Sequence, residues 1–250
     1  MELELTVVLI LLLTGFAAGL IDAIAGGGGM IALPVLLACG LSPVEALATN
    51  KLQGSFGTFS AARYFVKKRM VDLQQMRIPI LCTFLGAVAG TILIQQLDAG
   101  FLATLMPVLL ISIALYFMFS PSISDEEKKQ RIGSTGFGLL IGSSVGFYDG
   151  FFGPGTGTFF TLAYVALAGY GMAKATAHTK VLNFTSNLAS LLFFAFGGHI
   201  VWMAGMVMAL GQLIGGRLGA KLVLSKGTRL IKPLIVTVTL VLSIKLLLTS

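Results

Sequence analysis

Asp22 lies in the run IDAIAGGGGM, residues 21–30, just ahead of four consecutive glycines, and Asp149 lies in YDGFFGPGTG, residues 148–157. Lys51 and Lys180 each stand about eight residues into a hydrophobic stretch, roughly 12 Å deep at 1.5 Å per residue. An ionised group in hydrocarbon costs several kcal/mol unless it is paired or hydrated, so each marks a pathway by default. Two chemistries are open to the lysines. They can draw an anion into a hydrated centre, or be neutralised in place, Lys51 by Asp22 and Lys180 by Asp149. The aspartates in turn can brace the chain or carry protons; burial and a neighbouring lysine act on a carboxyl in opposite senses, which leaves the protonation state open.

The surroundings supply uncharged donors. Thr49, Asn50, Gln53 and Ser55 flank Lys51, and His178, Thr179, Asn183 and Thr185 flank Lys180. Such side chains can hydrogen-bond an oxyanion without adding charge. The glycine runs contribute backbone. A helix interior disfavours each glycine by nearly 1 kcal/mol relative to alanine, and Pro154 removes a donor. Both runs are therefore predicted chain breaks, whose half-helix N-termini suit an anion. The alternative, that these glycines only allow close helix packing, fits Gly86/Gly90 and Gly215/Gly219 better. The candidate substrate site is Gly27, Gly28, Gly29, Asn50, Lys51 and Gln53 from the first half with Pro154, Gly155, Thr156, His178, Thr179, Lys180 and Asn183 from the second. Asp22 and Asp149 join it as structural or proton-coupling groups. Arg63 and Arg217, near helix ends, are expected to snorkel.

These residues need a membrane around them. Of 250 residues, 56% are hydrophobic and 11% charged, against about a quarter charged in soluble domains, and the mean hydropathy is +0.94. Apolar runs such as 3–20, 78–94, 101–119 and 234–248 read as transmembrane helices. Glu2 and Glu4 do not suit the positive start of a cleaved signal. The net charge of +7 sits in short loops, which favours topology determination over nucleic-acid contact. Cys39 and Cys82 match no metal or redox spacing.

The chain also repeats itself. Gly19, Asp22, Gly26 and Gly28 fall on Gly146, Asp149, Gly153 and Gly155; after a two-residue insertion Gly40, Ala48 and Lys51 fall on Gly169, Ala177 and Lys180. The expected division is a membrane repeat over 1–120, a cytoplasmic linker over 121–131 and a second repeat over 132–250. The predicted segments are 3–24, 30–40, 43–66, 73–97 and 101–120, then 131–152, 157–170, 173–197, 199–224 and 230–249. Five elements per half invert the second copy relative to the first. The loop with Lys67, Lys68 and Arg69 is positive where its counterpart 196–199 is neutral, as inversion requires. By the same rule both termini lie outside. The fold class is thus an all-α polytopic membrane protein of two inverted repeats with broken or re-entrant helices, and parity alone admits eight to ten membrane segments.

No P-loop, dinucleotide fingerprint, His-Glu-x-x-His or Gly-x-Ser-x-Gly is present, which argues against an enzyme and against ATP-driven pumping by this chain alone. The stretches GLIDAIAGGGGMIALP, ATNK and GFYDGFFGPGTG resemble the sulfite exporter TauE/SafE family of bacterial membrane permeases. The resemblance implies a cytoplasmic-membrane secondary transporter for small sulfur-containing anions, such as sulfite, sulfoacetate or other organosulfonates. The expected mechanism is alternating access about a positive site between the repeats, one repeat rocking against the other. An anion-selective channel, or a carrier of another small anion such as a carboxylate, is the alternative. The expected partners are a small anionic solute and the lipid bilayer, with no cofactor, no metal and no nucleic acid; homo-oligomerisation is open.

Overall fold

The computed structural model describes residues 4–119 and 129–226. The first half folds as α1 (Leu5–Ala25), α2 (Gly28–Ala38), α3 (Pro43–Lys67), α4 (Arg77–Gln95) and α5 (Ala99–Phe119). The second opens with a rod made of α6 (Ser134–Phe137), a π-helical turn (Gly138–Gly142) and α7 (Ser143–Phe151), followed by α8 (Thr156–Leu167), α9 (Met172–Gly197) and α10 (Trp202–Lys226). The expected segment 230–249 and residues 121–128 of the linker lie outside the described residues. Among those described, the predicted segments are these helices, with later starts at three places. The 73–97 segment begins at Arg77, because the Asp72 carboxylate takes the Gln74 N–H at 2.9 Å in a turn. The 131–152 segment begins at Ser134, because the N–H groups of Arg131 and Ile132 turn to the Leu167 carbonyl. The 199–224 segment begins at Trp202; the Val201 N–H goes to the Thr49 hydroxyl instead, at 3.1 Å.

Local chemistry sets the helix ends. Ser42 and Glu45 form a reciprocal capping box at the start of α3, with Pro43 at the first helical position, where its missing N–H costs nothing. Gly26 ends α1 in the left-handed conformation (φ 83°), its N–H on the Asp22 carbonyl. In the second half Gly153 and Gly155 hold φ 101° and 83° on either side of Pro154. Only glycine adopts this region at no steric cost, so both glycine clusters are chain breaks.

The helix directions establish the inversion. Gly15, Gly19 and Gly215 make backbone contact across α1 and α10 in step: Gly15 on Met208, Gly19 on Gln212, Gly215 on Phe16 and Leu20. Both helices therefore run the same way. Gly205 lies on Thr49 and Leu52, and Gly216 lies on Gly57, which aligns α3 with them. By the same test α4 runs parallel to the rod, Gly146 lying on Thr83 and Gly150 on Ala87. α9 runs against α3: Gly54 faces Asn187 and Phe59 faces Phe184 at 5.3 Å between ring centroids. The equivalents α1 and α7, α3 and α9, α10 and α4 therefore point in opposite directions.

Because α1 and α3 share a direction, α2 must carry the chain back between them, as α8 does between the rod and α9. With 11 and 12 residues these return legs cover about 16–18 Å at 1.5 Å per residue, roughly half a bilayer core. α1, α4 and α10 are long and apolar enough to cross a membrane. α3 and α9 have the length, at 25 and 26 residues, but their buried faces are polar. The molecule is apolar outside and polar within: Leu13, Leu139, Phe196 and Trp202 are exposed, while Asn50, Gln53, Asn183 and Gln212 are buried.

The first helix of each repeat packs on the fourth helix of the other, so the packing units mix the repeats. One bundle holds α1, α2, α3, α5 and α10; the other holds α4, the rod, α8 and α9. Two apolar clusters flank the polar layer between them. One gathers about α2 and α5 with Leu33, Leu47 and Met106; the other gathers about α8 with Phe65, Phe160 and Val181.

The glycine seams set a stability test. A Cβ at Gly90 would stand 2.1 Å from the Phe147 carbonyl oxygen, whereas nothing lies within 4 Å of one at exposed Gly133. Gly90→Leu is expected to cost about 1–3 kcal/mol or more by forcing α4 from the rod, and Gly133→Ala about 0.5 kcal/mol at most, read by thermal unfolding in detergent.

Candidate substrate site between the broken helices

The two breaks meet. The Gly26 and Gly157 backbones are so close that a Cβ on either would lie 2.4 Å from the other, and the Thr158 hydroxyl donates to the Ala25 carbonyl at 2.5 Å. Around this contact α3 and α9 turn their polar faces inward.

Lys51 on α3 is 1% exposed. Its Nζ donates to the carbonyl oxygen of Asp149 and pairs with Asp149 Oδ1 at 2.9 Å. Lys180 on α9, equally buried, donates to the Asp22 carbonyl and pairs with Asp22 Oδ2 at 3.2 Å. Each ammonium thus sits on the last turn of a broken helix, where free carbonyls and the helix dipole favour a cation. These pairings correct the expected Lys51–Asp22 and Lys180–Asp149 pairs. α3 and α9 face each other across the bundle boundary, so each lysine reaches the broken helix of the opposite bundle.

The two pairs are unequal. Asp149 also accepts from the Thr156 hydroxyl at 2.8 Å, and its side chain is 4% exposed. Asp22 is 16% exposed, and the position matching Thr156 is Gly29, which has no hydroxyl. An amide chain runs alongside: Gln212 Nε2 donates to Gln53 Oε1, and Gln53 Nε2 donates to Asn50 Oδ1 at 2.7 Å. Asp149 Oδ2 and Asn183 Oδ1 are buried acceptors with no donor among the described residues, so both can take a hydrogen bond from a solute or a water.

A small cavity of about 30 Å³ occupies the middle of this layer. That is room for a water or two and too little for a sulfite or sulfonate. Of the expected site residues, Gly28, Gly29, Asn50, Lys51, Gln53, Thr156 and Asn183 line it, with Asp22 and Asp149. Gly27, Pro154, Gly155, Thr179 and Lys180 stand behind that wall. The Pro154 carbonyl accepts from the Tyr148 hydroxyl at 2.5 Å, and the Thr179 hydroxyl accepts from Thr161 at 3.1 Å. His178 points elsewhere: Nδ1 meets the Lys174 carbonyl at 2.8 Å, and the ring lies 5.4 and 4.8 Å from Tyr164 and Tyr170.

Sequence reasoning missed Gly26, Gly54, Thr58, Gly153, Gly157, Asn187 and Gln212, which also line the cavity. A signal existed for some of them. Gly54 and Thr58 stand four residues apart on α3, as Asn183 and Asn187 do on α9, and that spacing shares a helix face. Gln212 has no such mark, since its repeat counterpart is Ala87.

The TauE family model, described as sulfite exporter TauE/SafE, matches residues 11–246. The chain is 48% identical to the Escherichia coli K12 protein "Probable membrane transporter protein YfcA", over 96% of this chain and 90% of that one. It is 47% identical to "Probable membrane transporter protein" of Haemophilus influenzae, over 98% and 96%, and 45% identical to "Probable membrane transporter protein ORF9" of Sinorhizobium sp, over 95% and 91%. No solved structure matches it.

The crossed ion pairs set the next test. Removing one partner of a buried pair leaves an uncompensated charge and costs about 3–5 kcal/mol, whereas removing both is far less costly. Lys51→Met and Asp149→Asn are expected to destabilise strongly as single changes, and Lys51→Met/Asp149→Asn to recover most of the loss in thermal unfolding. Lys51→Met/Asp22→Asn removes partners from two different pairs and is expected to recover nothing.

Proposed function

The chain belongs to the sulfite exporter TauE/SafE family, and on that premise we propose that it is a secondary carrier of small sulfur-containing anions, such as sulfite, sulfoacetate or other organosulfonates, working outward across the cytoplasmic membrane. It is a membrane transporter and not an enzyme. The observation that carries the finer reading is the small polar cavity at the two helix breaks, with Lys51 in its wall and an apolar cluster on either side. A carrier needs such a centre sealed from both faces. A channel needs a continuous polar path, and the apolar clusters interrupt one.

The binding step follows from the charges. Two lysines and two aspartates leave the layer neutral, so an anion enters by competing with Asp149 for Lys51. At 3 Å and an effective dielectric of 20, one such pair is worth about 5–6 kcal/mol of Coulomb attraction, which an oxyanion can replace with its own. The N-termini of α2 and α8 and the amides of Asn50 and Asn183 supply further donors. The cavity must widen to admit the solute. The moving bodies are then the two mixed bundles rather than the sequence repeats, because repeat against repeat would tear the glycine seams. Rocking about the Gly26–Gly157 contact parts one apolar cluster at a time.

Flux measurements in proteoliposomes test this. Lys51→Met/Asp149→Asn is expected to fold yet lose sulfite and sulfonate flux; unchanged flux would remove the anion site. Solute counterflow separates the classes: trans-acceleration is expected of the carrier, and its absence would favour the channel. Orientation is tested by cysteines at Lys68 and Gly198 in a Cys39→Ser/Cys82→Ser background. Position 68 is expected to label from the cytoplasm and position 198 from outside.

A further inference from the structure

Away from the central layer, the C-terminal halves of α3 and α10 line a groove on the surface of their bundle. Two adjoining hollows, about 480 and 470 Å³, share Tyr64, Lys67, Arg217 and Leu218. Their walls follow a gradient. Nearer the membrane centre the groove is lined by Phe59 and Ile214, which are 43% and 57% exposed, and the apolar wall continues to Leu218, 43% exposed, beside Arg217. One to two turns further along the wall becomes cationic: Arg63 and Lys67 on α3, Arg217 and Lys221 on α10. Each pair is four residues apart and so shares a helix face, and the helices run parallel, so both rows stand at one level. No acidic side chain lines either hollow. Among the described residues the only ion pairs are the two in the central layer, so these four cations have no carboxylate partner among them.

From this juxtaposition we propose that the α3–α10 groove is a binding site for an anionic phospholipid, with the phosphate between Arg63 and Arg217 and an acyl chain laid along Phe59, Ile214 and Leu218. An apolar slot that becomes basic at the level of the headgroups matches a lipid in both of its parts. Basic pockets between helices on the cytoplasmic side bind such headgroups, and the positive loop of Lys67, Lys68 and Arg69 assigns this end to that side. Arginine suits a phosphate because its planar fork makes two parallel hydrogen bonds. Charge disfavours the competing occupants. A second copy of the chain would set the same cations against themselves. Residues 227–250 carry Arg229, Lys232 and Lys245 and no acid. The linker does carry Asp125, Glu126 and Glu127, but three carboxylates leave the apolar half of the groove unfilled. The site lies apart from the cavity at the helix breaks and does not rest on the transport reading.

The experiment is native mass spectrometry and thermal unfolding of the purified full chain in neutral detergent. Phosphatidylglycerol, cardiolipin, phosphatidylcholine or inorganic phosphate is added in separate arms. Phosphatidylglycerol and cardiolipin are expected to stay bound and raise the melting temperature by several degrees, with phosphatidylcholine and phosphate giving neither effect. Arg63→Gln/Arg217→Gln is expected to weaken lipid binding roughly thirtyfold, at about 1 kcal/mol per removed charge. The exposed Arg77→Gln, on a different helix, should leave it unchanged. Equal retention of phosphatidylcholine, or full binding by the double variant, would overturn the proposal. A shift with phosphate alone would make this a soluble-anion site instead. Lipid binding that emerges only after Asp125→Asn/Glu126→Gln/Glu127→Gln would assign the groove to the linker.

Discussion

Burying four charges between two apolar clusters is tolerable only if every ammonium finds a counter-charge, and Lys51 and Lys180 find theirs across the boundary between the bundles. Much of the architecture follows from this. A lysine can reach the last-turn carbonyls of α1 and α7 only if those helices stop inside the protein, and they stop because Gly26, Gly153 and Gly155 take backbone conformations that other residues avoid. The return legs α2 and α8 then need only half a membrane thickness. Their N-termini face the same layer that receives the helix C-termini, so opposite ends of helix dipoles surround a small polar centre. Each aspartate joins its helix to a lysine of the opposite bundle.

The glycine seams hold each bundle together, and the ion pairs join one bundle to the other. Along α1/α10 and α4/α7 backbone lies on backbone, in contacts that no side chain could enter. Between the bundles the central contacts are the two ion pairs and the backbone approach of Gly26 to Gly157, with apolar contacts such as Phe59 on Phe184 away from the centre. Close-packed seams resist sliding, whereas salt bridges and amide hydrogen bonds can exchange partners with a solute at little net cost. Stiffness and adjustability are therefore separated in space. The asymmetry of the pairs, with Thr156 supporting Asp149 and nothing equivalent beside Asp22, makes the two halves of the boundary unequal in strength.

Much of this was legible in the amino-acid sequence, for identifiable reasons. Embedded aspartates, lysines and glycine runs are costly in hydrocarbon, so their presence at matching positions exposed the duplication, the helix breaks and half of the cavity wall. Loop charge indicated the inversion because it responds to membrane side rather than to packing. What stayed hidden were choices between equivalent partners. Asp22 and Asp149 have the same local sequence context, and only the helix arrangement decides which one Lys51 meets. Gln212 sits in an ordinary apolar helix and becomes a cavity residue only because Gly57 lets α10 approach α3. His178 stands two residues before Lys180, and two residues along a helix turn a side chain by about 200°, which aims it at Tyr164 and Tyr170 instead.

The crossed connectivity also bears on how the molecule is made. Asp22 and Lys180 are 158 residues apart, and the α1/α10 seam joins the first long helix to one near the other end. At about 5–20 residues per second, Asp22 emerges from the ribosome roughly 8–30 s before its ammonium partner exists. For that interval α1 carries a carboxylate into the membrane uncompensated, so it must be held in the insertion machinery, kept hydrated, or protonated until α9 arrives. The closing of this fold therefore waits on α9, and a chain truncated before residue 180 lacks the ammonium that pairs with Asp22.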